Sequence, residues 1–443
     1  SEVEADLIGR LAELGVAVRW GHRLTGLRQD ADGAELTFAT DGGAVVESAD
    51  WVVGADGAHS AVRHALGVGF PGHTFEDRFL IADVRVLLGF PNERRFFFDP
   101  PSNPGRQVLI HPQPDGVWRI DWQVSPATDA DQERRNGGLD RRIRAVVGRD
   151  TDYSLVWVTG YRFSQRLADR FRIDRVFLAG DAAHLMSPFG ARGLNSGVAD
   201  AENLAWKLAL VAHCQVRGDA VERLLDSYEA ERRPAAVENL AVTEATMRFM
   251  VPHDAWRRAW RNLVLRMSPR SAWFRARVNS GRLSEPAKYS GSPLVEPAAP
   301  GERPPTHGAV APDVPLTLTA PGDGGRTISR LRRLIGEGFV VLGVGLDEDA
   351  ARRLGEIAFP VPCRVVADRT AAGTVGAIDH TGRLAETYGA HGPRAWVIRP
   401  DGHVAGSVPL DRGVPAATVA ARVSAAAGMP GRGSAPAGDV RLA

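Results

Sequence analysis

The chain has 443 residues, 44% of them apolar and 24% charged, with a formal net charge of +1. That length exceeds one core of ordinary size and predicts two or three domains, and the balanced charge favours small-molecule partners over nucleic acid or an acidic membrane surface. No apolar run reaches the ~18 residues of a membrane span, no signal-type segment opens the chain, and Cys214 and Cys363 are too far apart for a CxxC or zinc pattern; a cytoplasmic protein without structural disulfides or zinc is the expectation.

At the N-terminus Val3, Leu7, Ile8, Leu11 and Leu14 recur at helical spacing, Gly15 follows as a cap, and residues 16–20 read as a strand. Residues 16–53 then alternate short apolar segments with the turns Asp32-Gly33 and Asp41-Gly42-Gly43, the pattern of antiparallel hairpins, closed by Trp51-Val52-Val53. β-type segments at 79–86 and 118–123 predict a sheet-based second domain. Residues 175–179 read as a buried strand leading through a glycine-rich loop to a long helix from about Val198, with Val198, Ala201, Leu204, Ala205, Leu208 and Ala209 on one packed face. Arginine-rich helical sequence continues to about Arg282. Residues 285–325, rich in Pro and Gly, read as a linker or extended arm. Beyond it, a helix-like 328–335, a strand at 339–344 and a hairpin at 395–405 around Pro400-Asp401-Gly402 predict a small α/β module, followed by a polar tail at 430–443.

Two segments carry chemistry. Trp51-Val-Val-Gly-Ala-Asp-Gly-Ala-His-Ser-Ala-Val-Arg63 puts an Asp-Gly turn directly after a strand, where α/β folds present carboxylates and bare backbone to ligands, although an ordinary loop has the same sequence. In Arg175-Val-Phe-Leu-Ala-Gly-Asp-Ala-Ala-His-Leu-Met-Ser-Pro-Phe-Gly-Ala-Arg-Gly-Leu-Asn-Ser-Gly197, Asp181 can accept hydrogen bonds from cofactor hydroxyls. Gly190, Gly193 and Gly197 admit backbone N–H groups close to a flat ligand, and the following helix adds a partial positive charge.

Gly54-Ala-Asp-Gly-x-x-Ser60-x-Val-Arg63 and Gly180-Asp-Ala-Ala-His184 through Pro188-x-Gly-x-x-Gly-x-Asn195 resemble the DG and GD motifs of the group A flavoprotein monooxygenases, the family of phenol hydroxylase and 3-(3-hydroxyphenyl)propionate hydroxylase. Asp200-Ala-Glu-Asn-Leu-Ala-Trp-Lys-Leu208 and Tyr228-Glu-Ala-Glu-Arg-Arg-Pro234 are similar to their continuation. The resemblance implies an α/β fold: a glutathione-reductase-like FAD-binding domain remnant in residues 1–70 and 161–245, an inserted β-sheet substrate domain in 71–160, a helical segment and linker in 246–300, a thioredoxin-like C-terminal domain in 301–430, and a tail. The family's initial GxGxxG unit is not in the chain, from which roughly a hundred N-terminal residues are expected to be missing.

The same resemblance implies FAD and NAD(P)H as cofactors, and a phenolic or polyketide-type aromatic substrate hydroxylated by O2 through a flavin C4a-hydroperoxide. Gly180 and Asp181 would bind the ribityl chain at its 3'-hydroxyl. Pro188, Gly190, Gly193, Leu194 and Asn195 would lie along the isoalloxazine, and Asp56, Gly57, His59 and Arg63 would link the pyrophosphate side to the NAD(P)H approach. Arg192, where many relatives have Gln, would stabilise the anionic reduced flavin together with the helix start; facing solvent is its alternative. His184 would support the Gly-Asp loop. The base acting on substrate is not identified: His111, Arg119 and Asp121 are candidates that also fit as ordinary polar sheet positions. With Cys363 alone in it, the C-terminal module is expected to serve packing, subunit contact or shielding, and a homodimer stays open. Two other readings are a halogenase or other FAD oxidoreductase of this fold, and a flavin-free binding or oligomerisation module.

Overall fold

The computed structural model describes residues 2–89, 91–188, 192–252, 254–278, 285–298, 304–319, 330–368, 374–389, 392–410 and 416–430. They form two compact units, one of Ser1–Gly69, Ala168–His184 and Gly190–Ala443, the other of Phe70–Leu167 and Leu185–Phe189.

The first unit opens with helix α1 (Glu2–Glu13), which buries no residue. The strand expected at 16–20 does not form: the segment is irregular, and Val16, Val18 and Trp20 are exposed. An extended segment needs a neighbouring strand for its backbone groups, and here the bonds are local: Val16 N–H donates back to Leu11 O at 2.9 Å, and Trp20 O meets His22 Nδ1 at 2.8 Å. Strands β1 (Arg23–Gln29), β2 (Ala34–Thr40) and β3 (Gly43–Ala49) make the expected antiparallel sheet. Strand β4 (Val52–Gly54) and helix α2 (Ala61–Ala65) follow.

The second unit is built on antiparallel strands β5 (Gly72–Arg85), β6 (Arg95–Phe98), β7 (Gln107–Pro112) and β8 (Val117–Val124), then helices α3 (Ala130–Arg135) and α4 (Gly138–Val147) and strand β9 (Ser154–Leu167), in the order β9-β5-β8-β7-β6. Alternation sorts the sheet's faces: Leu80, Ala82, Val84, Ile110, Ile120 and Trp122 pack with Leu139, Ile143 and Val147 of α4.

The first unit resumes with β10 (Arg172–Ile173) and β11 (Val176–Leu178), and after β12 (His184–Leu185) come helices α5 (Arg192–Ala212), α6 (Asp219–Met250), α7 (Ala255–Met267) and α8 (Ala272–Val278). Helix α5 begins six residues before Val198. Its buried residues are mostly polar, Ser196, Asp200, Asn203 and Lys207 with Leu204, Trp206 and Leu210, while Val198, Ala201, Ala205 and Ala209 of the expected packed face are exposed. The reason is its partner: α6 offers charged side chains, and burying a charge is tolerable only against such partners.

Strands β13 (Thr317–Thr319), β14 (Phe339–Val344), β15 (Cys363–Ala367), β16 (Val375–Ile378), β17 (Arg394–Ile398) and β18 (Val404–Pro409), with helices α9 (Glu348–Gly355), α10 (Arg383–Tyr388) and α11 (Ala416–Ala426), form the C-terminal layer. Its sheet runs β13-β16-β15-β14-β17-β18, with β14, β15 and β16 parallel. Of the helix expected at 328–335, Ile328 and Ser329 lie outside the described residues and Leu331–Leu334 form a 3-10 turn. The tail from 431 also lies outside them. Strand β14 is buried on both faces, which explains its unbroken apolar sequence. Phe339 and Val341 share one core with Trp206, Leu210 and Leu224, so this layer packs directly on α5 and α6. No described helix is long and apolar enough to cross a membrane.

Candidate functional site

Strands β4 and β11 pair in parallel, Val52 opposite Val176, Val53 opposite Phe177 and Gly54 opposite Leu178. The Asp-Gly and Gly-Asp turns therefore leave the same end of one sheet, where ligands bind in α/β folds. Between these turns and α5 lies a groove of about 380 Å³, walled by Val53, Ala55, Gly57, Ala179, Gly180 and Asp181 and by Gly197, Ala201, Leu204, Ala205 and Leu208. The apolar stripe of α5 is thus a groove wall, and Leu208, expected in the core, lines it. Gly180 takes the left-handed φ of +60°, and a Cβ on the facing Gly197 would come within 3.5 Å of its Cα. Bare backbone, an apolar wall and one carboxylate fit a flat, hydroxyl-bearing ligand such as a flavin.

That carboxylate is Asp181, which is exposed and bonded to no described residue. Asp56 differs: it accepts from Ser60 Oγ and from Val62 N–H at 3.1 Å, so both oxygens shape the start of α2. Arg63 is buried and donates to Ala182 O and Ala58 O, both at 2.9 Å, tying the two turns together. His59 is exposed. Gly57, with φ +81°, has open space around its Cα.

Behind the groove stands a residue the sequence did not single out. Asp200 accepts from Gly180 N–H at 3.0 Å, His184 Nε2 at 2.7 Å and Arg232 Nε at 2.7 Å, and both Asp200 and His184 are fully buried. Burial works against its charge, but His184 and Arg232 hold the carboxyl below the ordinary range. Arg232 also donates to Tyr289 Oη at 3.0 Å, and Tyr289 stacks on His403 of the C-terminal layer with ring centroids 4.0 Å apart. A second buried cluster joins the same elements: Glu231 of α6 accepts from Lys207 at 2.8 Å, Asn203 at 2.6 Å and Arg399 at 2.5 and 2.9 Å, and Arg399 also pairs with Asp401. Burial pushes the Lys207 amine down to about 8, against the pull of Glu231. The Asp200-Ala-Glu-Asn-Leu-Ala-Trp-Lys-Leu208 string was the available signal, but its partners are far away in the chain.

Arg192, Gly193, Leu194 and Asn195 form the first turn of α5. Arg192 does not face solvent: it is buried and its guanidinium bonds Asn239 of α6. Arg192 and Asn195 line a separate cavity of about 480 Å³ with Arg232, Tyr289, Asp401 and His403, not the groove that holds Asp181. Leu194 is 74% exposed. Pro188 is exposed and belongs to the second unit, and Gly190 lies outside the described residues.

In the second unit the three polar candidates meet on one sheet face. Asp83, Arg119 and His111 are cross-strand neighbours on β5, β8 and β7, with Asp121 two positions along. Arg119 forks onto Asp83 at 2.7 and 2.8 Å, and His111 Nε2 lies 3.9 Å from Asp121 Oδ2. Burial raises the Asp121 carboxyl to about 6, and burial with Arg94 and Arg119 lowers His111 to about 4. Asp121 Oδ1 is buried without a hydrogen bond.

Known proteins resemble this chain over most of its length. The family profile described as FAD binding domain matches residues 1–243. The 3-(3-hydroxy-phenyl)propionate/3-hydroxycinnamic acid hydroxylase of Klebsiella pneumoniae is 30% identical over 419 residues, 90% of this chain and 72% of that protein. Rifampicin monooxygenase of Streptomyces venezuelae is 40% identical over 242 residues, 54% of this chain, and the match spans about half of that relative, 48%. The crystal structure of aklavinone-11 hydroxylase in a ternary complex with FAD and aklavinone superposes with a TM-score of 0.75 at 26% identity, covering 96% of this chain and 77% of that one. The chain belongs to the FAD binding domain family, alongside these monooxygenases and hydroxylases.

Proposed function

We propose that the protein binds FAD at the β4/β11 strand ends and, with NAD(P)H and O2, hydroxylates a phenolic or polyketide-type aromatic compound. The observation that carries this reading is the unengaged carboxylate of Asp181, set at a glycine turn beside an apolar groove. Asp181 would accept a ribityl hydroxyl, Gly57 and Gly180 would let the cofactor approach the backbone, and Gly193, Leu194 and Asn195 would present the positive end of α5. Arg192, fixed by Asn239 on the neighbouring cavity, would add charge from that side. Asp56 and Arg63 would act by holding the turns in shape, leaving His59 at the surface for the nicotinamide donor. The chemistry that bound FAD supplies is acceptance of two electrons from NAD(P)H and activation of O2.

Asp121 and His111 are the residues we assign to substrate. Near neutral pH Asp121 is mostly ionised and His111 neutral, so Asp121 Oδ1 would accept the proton of a phenol hydroxyl and make the ring more electron-rich. Support for an aromatic substrate comes from the relatives' names and from the complex of aklavinone-11 hydroxylase with aklavinone. We assign a thioredoxin-like fold and a packing role to the C-terminal layer. The test is NAD(P)H oxidation by the FAD-loaded protein across a panel of phenols and aromatic polyketides under ¹⁸O2. One labelled oxygen in a hydroxylated product is expected; NAD(P)H consumption that no aromatic compound stimulates would refute the reading.

A further inference from the structure

Residues 254–278, which hold α7 and α8, contain seven arginines and three tryptophans against one acidic residue, Asp254, in a chain whose net charge is only +1. The rest of the chain is therefore net negative, and the whole-chain balance conceals a segregated basic patch. On α7, Trp256, Trp260 and Leu263 recur at i, i+4 and i+7 and are 67%, 42% and 45% exposed. The inward face is different: Arg261 and Val264 are buried, and Arg261 donates to Met250 O at 3.1 Å. Trp273 of α8, 52% exposed, meets Trp260 edge-on with ring centroids 6.5 Å apart, so the aromatic surface is continuous across the hairpin. Arg257 sits over the Trp256 ring at 5.2 Å and Arg277 over Trp273 at 3.2 Å. Arg257, Arg258, Arg266, Arg270, Arg275 and Arg277 are all exposed.

Exposed indoles gathered in one patch mark a surface meant to be covered. Indole rings with flanking arginines suit the boundary between lipid headgroups and acyl chains, where the ring bodies leave water and the guanidinium groups meet phosphates. A second copy of the chain would bring the same arginines against each other across a two-fold axis, and a nucleic acid has no use for an aliphatic Leu263. We propose that the α7–α8 hairpin docks the protein on an anionic phospholipid surface, lying in the headgroup plane. At 13 residues α7 is too short to span a bilayer.

The test is co-sedimentation of the protein with vesicles of phosphatidylglycerol and phosphatidylcholine in equal parts, and with phosphatidylcholine alone, read together with tryptophan emission. Binding to the anionic vesicles with a blue shift is expected, weakening at least about tenfold between low and half-molar salt. The pairs Trp256→Ser/Trp260→Ser and Arg257→Glu/Arg258→Glu should each lower partitioning by about tenfold or more with the melting curve kept, and Arg257→Lys/Arg258→Lys should retain it within about twofold. The proposal is overturned by no sedimentation with anionic vesicles, by binding that both altered pairs leave intact, by a dimer in vesicle-free solution that Trp256→Ser dissolves, or by tighter binding to duplex DNA than to vesicles.

Discussion

Asp200→Asn tests whether the Gly-Asp turn is held from behind. The carboxylate serves three donors, Gly180 N–H, His184 Nε2 and Arg232 Nε, with no water-exposed surface. An amide has one acceptor oxygen, and its NH2 group must face either Arg232 or the Gly180 and His184 donors. Removing one partner of a buried ion pair costs about 3–5 kcal/mol. Arg232 keeps Tyr289 Oη at 3.0 Å and Ser196 O at 3.2 Å, which places the loss near the lower end, about 3 kcal/mol. At about 2 °C per kcal/mol for a large cooperative unit, the melting temperature should fall by about 6 °C. Thermal unfolding followed by circular dichroism at pH 7 measures it. Arg232→Met in the same background should cost much less than in the wild type, with a coupling of about 2 kcal/mol or more, because the charge left behind is removed too. Hydrogen exchange at Gly180 should quicken in parallel. A shift below about 1 °C, or additive effects of the two substitutions, would refute the argument.

Asp181→Ala should weaken FAD binding about tenfold to a hundredfold, the value of a charge-assisted hydrogen bond of roughly 1.5 to 3 kcal/mol, and Asp121→Ala should not; equal affinities in a fluorescence titration remove Asp181 from the site. Arg192→Gln should lower the flavin midpoint potential and slow reduction by NAD(P)H, and a potential equal to the wild type places Arg192 outside the cofactor's field. The Asp121 carboxyl is raised from 3.8 to about 6 on folding, so its contribution to stability is full below pH 4 and lost as pH rises to about 6. Asp121→Asn should therefore gain about 3 kcal/mol over the wild type between those limits in urea unfolding. The difference cancels most of the opposite trend of His111, and parallel pH profiles would sink the assignment. Gly180→Ala should cost about 1–2 kcal/mol through its φ of +60° alone, since an added Cβ meets nothing closer than 3.9 Å; an unchanged urea midpoint would contradict this.

The strands flanking both motifs were legible because each is a short apolar run ended by a glycine turn, and their pairing brings the two turns together as the motif order implies. Strand β14 was legible as a short apolar run, and its burial on both faces came only with the structure. Helix α5 shows the limit. Periodicity marks an apolar stripe but does not say whether core or cofactor covers it, and here the stripe of Ala201, Ala205 and Leu208 walls the groove while Asp200 and Lys207 go inside. Lone sequence positions such as Asp200 and Glu231 carry no mark of burial, because their partners Arg232, Tyr289 and Arg399 come together only through tertiary packing. Residues 16–20 have strand composition, yet no strand forms where no strand among the described residues pairs with them. Arg192 looked like a loop residue because the glycines around it hide a helix start. The arginine-rich run up to about Arg282 was legible, but its gathering into one exposed patch with tryptophans was not, because that needs the fold of α7 and α8 and a whole-chain net charge averages over it.

The most direct measurement is the flavin content of the protein after loading with FAD and gel filtration, read from the visible spectrum against protein concentration. Wild-type chain is expected to retain about one FAD, with the flavin bands perturbed from those of free cofactor, and the Asp181→Ala variant to lose most of it on the column. Flavin that elutes apart from the wild-type protein, or that is retained equally by both, would contradict the assignment of the groove beside Asp181 as the cofactor site.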